Sequence, residues 1–155
     1  MGVTVDHRTF VIARALPGSV AHAFRFWSDH RLKRLWNACH PDWRVVEDTF
    51  DFRVDGAERL IWQMPDGTEQ AMTAYFLEIA PRERIVYAYR MGSAGRAISA
   101  SLVTVEFVGQ GQATAMTYTE QAMFGDAADG DIRENGTGTG FERLRAVMAQ
   151  TPEGA

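Results

Sequence analysis

Glu120 is the residue whose placement most invites chemistry. In the stretch ATAMTYTEQ, alternation carries it to the same side as Met116 and Tyr118. A carboxylate on the apolar side of a sheet must lie at a mouth, be paired, or be functional. Two readings fit it: a strand-end carboxylate that reaches solvent, or a polar anchor or proton-transfer group on a pocket wall near Tyr89 or Ser101. Arg53, in DFRVDG, could clamp an anionic head group, and pairing with Asp51 explains it equally well. Trp36, Trp62, Tyr75, Tyr87 and Tyr89 could line a pocket or fill an ordinary core.

Other combinations carry less. Cys39 and His40 are sequence neighbours, which are rarely oriented as nucleophile and base, and no orienting Asn or Asp can be assigned to them. His7, His22, His30 and His40 lack the spacing of a helical metal pair, so no metal site is expected, and no cofactor either. GTGTG before FERL lacks the Lys-Ser/Thr ending of a phosphate loop, which makes helix-packing glycines the better explanation.

These residues must be held by a sheet. ISASLVTVEF, from Ile98 to Phe107, puts Ser101, Val103, Val105 and Phe107 on one face, and Gly109 and Gly111 supply a turn into the strand that carries Glu120. A first strand over Thr4 to Ala15 has ambiguous facing, with Phe10 and Ile12 on one side and Val11 and Ala13 on the other. Ser19 can cap a helix with Val20, Ala23, Phe24 and Trp27 on one face, and HRLKRLW offers a second short helix with Leu32, Leu35 and Trp36 as its apolar edge. Between Trp43 and Met91 the chain reads as a meander with turns at Asp55-Gly56, Pro65-Asp66-Gly67 and Pro81-Arg82. Its inward sets are Leu60, Trp62 and Met64; then Tyr75, Leu77 and Ile79; then Ile85, Tyr87 and Tyr89.

The last segment, Asp126 to Gln150, is rich in glycine, yet its spacing predicts one long helix. Ile132, Gly136, Gly140 or Thr139, Leu144 and Val147 or Met148 recur on one face. With Gly136 and Gly140 against the sheet, the middle of the helix has almost no side-chain volume. That leaves a cavity, and a dense native core would not keep one without a guest.

The 155 residues suit one domain, and an apolar fraction of 46% is ample for a core. A formal charge of −4 with scattered Lys and Arg argues against a nucleic-acid track or a polybasic membrane patch. The lone Cys39 excludes an intrachain disulfide framework. MGVTVDHRTF has no basic-then-apolar leader, Gly2 is not followed by the Ser or Thr that myristoylation prefers, and no apolar run is long enough for a membrane helix; a cytoplasmic protein is expected.

The order of strand, two short helices, meander and long C-terminal helix resembles the SRPBCC or START-like superfamily, the helix-grip fold. Within it the chain is similar to bacterial proteins related to the C-terminal domain of the Hsp90 ATPase activator. The resemblance runs from about Phe10 to Met148. It is carried by Arg14, Pro17 and Val20, by Trp36, by Asp51 to Gly56, by Asp66-Gly67, by EIAPRERIVY, by LVTVEF and by ATAMTYTE. It departs at Asp55, where the family usually has Gly, and at Phe141, where it often has Trp. The resemblance implies an α+β domain, a curved antiparallel sheet of about seven strands wrapped around the C-terminal helix. It also implies a hydrophobic-ligand pocket, for which Trp36, Arg53, Trp62, Tyr75, Tyr87, Tyr89, Ser101, Tyr118, Glu120, Gly136, Gly140 and Phe141 are the candidate residues. Three functions follow as expectations. The first is binding of a small hydrophobic or aromatic ligand. The second is a cyclase-like enzyme acting on an aromatic or polyketide-like substrate through Glu120, and the third is a protein-interaction role as a chaperone cofactor; the protein is expected to be a monomer or a homodimer.

Overall fold

A computed structural model describes residues 5–154. Thr4, where the first strand was expected to begin, and Gly2 lie outside them.

The order is β1 (Asp6–Pro17), α1 (Val20–Ser28), α2 (His30–Lys33), β2 (Arg44–Phe50), β3 (Ala57–Gln63), β4 (Glu69–Ala80), β5 (Arg84–Ser93), β6 (Arg96–Gln110), β7 (Ala113–Phe124) and α3 (Ala127–Gln150). One seven-stranded antiparallel sheet has the order β1-β7-β6-β5-β4-β3-β2. The expected helix-grip architecture is therefore present: α1, α2 and α3 cover one face, and the core lies between them and the sheet.

Local signals explain most elements. The Ser19 hydroxyl accepts the His22 N–H at the start of α1, and the Asp126 carboxylate accepts the Asp129 N–H at the start of α3. The facing of β1 is settled by Phe10, Ile12 and Leu16, which are buried, while Val11 is exposed. Arg8 and Arg14 share the buried parity but reach outward to α3, where they pair with Asp131 and Glu142 at 2.9 and 2.7 Å. In α2 and the turn after it, Leu32 and Trp36 are buried as expected, but Leu35 is exposed and Lys33 is buried instead.

The meander holds one correction. Tyr75 is 48% exposed and Leu77 is equally open, whereas Ala74 and Phe76 are buried. A bulge between Phe76 and Glu78 is the reason: Phe76 pairs with Tyr87, but Glu78 pairs with the next residue back, Val86. The extra residue inverts parity at Leu77, so the outward facing of Glu78 does not extend to the residues before it.

Asp55 has a left-handed backbone, φ 68°. Glycine meets no Cβ penalty there, which fits the Gly that the resemblance implied at this turn. Asp55→Gly is expected to stabilise the fold by about 0.5 kcal/mol, relief of strain being partly offset by a freer unfolded chain. A denaturant titration checks this; a loss of stability would show that the carboxylate itself holds the turn.

Candidate ligand cavity

A cavity of about 360 Å³ lies between the sheet and α3. Its wall is mostly aromatic: Trp27 and Trp36 from the helical cap, Trp43 from the following loop, Trp62 from β3, Tyr87 and Tyr89 from β5, Tyr118 from β7 and Phe141 from α3. Phe141 is buried against Tyr118, Trp36 and Trp27, with ring centroids 5.0, 5.9 and 6.1 Å away. Trp43 stacks on Trp62 at 6.2 Å. The helix contributes space rather than side chains at Gly136 and Gly140; nothing lies within 4 Å of where a Cβ on Gly136 would sit.

Behind one end of this wall is a buried polar cluster. Glu120 is fully buried, so the solvent-reaching reading of it is wrong. Its Oε1 accepts from the Tyr118 hydroxyl at 2.6 Å. Its Oε2 accepts from Ser101 Oγ at 2.6 Å, from the Tyr89 hydroxyl at 2.7 Å and from Arg133 Nη1 at 3.3 Å. Arg133 also donates to the Tyr89 hydroxyl at 2.7 Å and to Ser99 Oγ at 2.8 Å, with its guanidinium over the Tyr89 and Phe124 rings. Burial works against the Arg133 charge, but Tyr89 and Glu120 together outweigh it and leave its pKa raised. Burial, joined by the charge of Glu120, pushes Tyr87, Tyr89 and Tyr118 above the ordinary tyrosine value. Tyr89 and Tyr118 are thereby held protonated and donate to Glu120.

A second buried cluster supports the opposite end. Lys33 is 4% exposed and Glu58 1%. Lys33 Nζ donates to Glu58 Oε1 at 2.6 Å, and Arg34 bridges Glu58 at 2.8 Å and Asp48 at 2.8 Å. The ammonium lies over the rings of Trp27, Phe50 and Tyr87. Burial pushes the Lys33 pKa down; it also opposes ionisation of Glu58, but Lys33 and Arg34 outweigh it and hold that carboxyl below its usual range.

The candidate residues thus divide. Trp36, Trp62, Tyr87, Tyr89, Tyr118, Gly136, Gly140 and Phe141 line the cavity. Ser101 and Glu120 stand behind the wall, in the polar cluster. Two candidates are not there: Tyr75 faces solvent, and Arg53 is exposed in the 51–56 turn, where it pairs with Asp51 at 2.8 Å. The residue that sequence reasoning missed is Arg133. Its signal was the stripe 133, 137, 140, 144 and 148, which competes with the one drawn from Ile132; the structure chooses the former, and Ile132 is 68% exposed at the cavity rim.

A family model described as Activator of Hsp90 ATPase homolog 1-like protein matches residues 18–151. The chain belongs to that family. Two solved structures similar to it are an uncharacterised protein from Rhizobium leguminosarum and Mll3558 from Rhizobium loti. The first is 39% identical over 96% of this chain and 98% of that one, with a TM-score of 0.89. The second is 38% identical over 92% and 98%, with a TM-score of 0.85. CV1439 from Chromobacterium violaceum, 21% identical over 90% and 96% with a TM-score of 0.74, shares the fold. No curated protein matches the chain in sequence. In this member of the Hsp90-activator-like family, no helix among the described residues is long and apolar enough to cross a membrane, and no cluster of His, Cys, Asp or Glu among them could hold a metal.

Proposed function

We propose that this protein binds a small hydrophobic or aromatic molecule in the cavity between the sheet and α3. The observation that carries the reading is the combination of an aromatic wall with two glycines on the facing helix, around about 360 Å³ of space between the sheet and α3. Aromatic side chains give contact area at small entropic cost, and a few polar groups fix orientation. Arg133 and Tyr89 are those groups, because they line the cavity, whereas Glu120 does not and is surrounded by four donors of its own protein. Glu120 therefore acts as a positioning residue that holds Tyr89 and Arg133, not as the proton-transfer group of an enzyme.

Native mass spectrometry of gently purified protein, followed by denaturing extraction, tests the reading. A reproducible co-purifying apolar compound, or a thermal shift with members of a hydrophobic panel, is expected. A clean apo mass with no shift across that panel would sink it and turn attention to a protein partner.

A further inference from the structure

The cavity wall has a charge bias opposite to that of the protein. The chain carries 20 acidic and 16 basic residues, yet the lining includes Arg133 and Arg143 and no Asp or Glu. The two arginines are not equivalent. Arg133, on the inner wall, is already hydrogen-bonded to Glu120, Tyr89 and Ser99. Arg143 is exposed at the rim, and its Nε donates to the Trp36 carbonyl at 3.3 Å. Among the described residues it has no carboxylate partner, since the adjacent Glu142 turns to Arg14 and Arg145. Its Nη2 lies 3.9 Å from where a Cβ on Gly140 would sit, so the guanidinium flanks the gap that the glycine leaves in the helix. One face of this fork is thus offered to the cavity mouth, next to Trp36 and Phe141.

We infer that the guest is an apolar acid: a hydrophobic or aromatic body that enters the cavity, with an anionic oxygen group held at the mouth by Arg143. The inference rests on the cavity-binding reading and specifies its ligand class and orientation. A guanidinium recognises such a group by parallel charge-assisted hydrogen bonds. An amine of the same shape would find no carboxylate in the lining to pair with and would face the two arginine charges. A neutral analogue would keep the apolar contact and lose the head-group bond.

The test uses two fluorescent probes that differ by one sulfonate, 8-anilino-1-naphthalenesulfonate and N-phenyl-1-naphthylamine, titrated into the intact protein and competed against each other. The sulfonate is expected to bind the same single site about tenfold more tightly at low salt, and the ratio to shrink as salt screens the rim charge. Arg143→Met should bring the ratio close to one. Arg145→Met, which removes the same charge two residues along α3 at a position that does not line the cavity, should leave it unchanged. Equal affinities in the parent protein, or a ratio that survives Arg143→Met, would overturn the inference while the cavity-binding reading stood. Binding of neither probe would overturn both.

Discussion

Lys33→Met is expected to lower the unfolding free energy by about 3 kcal/mol, the lower end of the range for breaking a buried ion pair. The methionine keeps the packing against Trp27, Phe50 and Tyr87, so the loss comes from Glu58, whose carboxylate stays sealed from water with one cation fewer. Arg34, still 2.8 Å from Glu58, limits the damage. Lys33→Met combined with Glu58→Leu should recover most of it, because the desolvation of both charges is then avoided. Urea titrations of the two singles and the double decide the matter; a double mutant no better than the sum of the singles would show that the pair is not coupled.

The same cluster sets the response to acid. Glu58 and Asp48 both have pKa values below the ordinary carboxylate range in the fold, Glu58 because Lys33 and Arg34 outweigh its burial, Asp48 because Arg34 and His30 do so. The unfolded chain therefore takes up these protons first as pH falls. Their stabilising contribution is complete above the unfolded carboxylate values and is lost as pH drops through the lower folded ones. In Glu58→Leu with Lys33→Met, the acid limb of the stability curve should be shallower.

Gly136→Phe is expected to weaken binding of N-phenyl-1-naphthylamine by at least about 100-fold, or about 2.7 kcal/mol. Gly136 lines the cavity at its open side, and a side chain there meets no atom of the protein within 4 Å of its Cβ, so a Phe has room to turn over the guest's space. Stability should hold or rise, since glycine in a helix interior is worth up to about 1 kcal/mol less than a better helix former. Loss of binding together with a preserved melting temperature separates blockage from misfolding. Unchanged binding would place the guest elsewhere. The sequence of α3 thus accepts a weaker helix to keep the cavity open.

How far these features could be read in advance depended on whether local pattern and tertiary role agreed. They agreed in β5, β6 and β7, where alternation placed Tyr87, Tyr89, Ser101, Tyr118 and Glu120 on the inner face, and in α3, where Gly136 and Gly140 marked the thin side of the helix. They disagreed at Tyr75 and Leu77, because a bulge changes parity without any composition that announces it. Charged residues were the other source of error. Lys33 and Arg133 look like markers of a wet face, and each is instead turned inward by a partner far away in sequence, whereas Glu58 shares the parity of Leu60 and Trp62 and is buried with them. Arg53, with a partner two residues away, was the charge with the simplest local explanation, and that explanation holds.

The pairing of β1 with β7 has a consequence for how the chain is made. Asp6 lies opposite Phe124 and Pro17 opposite Ala113, so β1 hydrogen-bonds to a strand that is made roughly a hundred residues later. At synthesis rates of roughly 5–20 residues per second, β1 waits about 5–20 s for the strand that pairs with it. During that interval it is an apolar strand with both edges open. Asp6, His7, Arg8 and Arg14, set among Phe10, Ile12 and Leu16, are the charged and polar interruptions that keep such a strand from pairing with another nascent chain. Once β7 arrives, Arg8 and Arg14 pass from gatekeepers to fasteners, clamping α3 across the finished sheet.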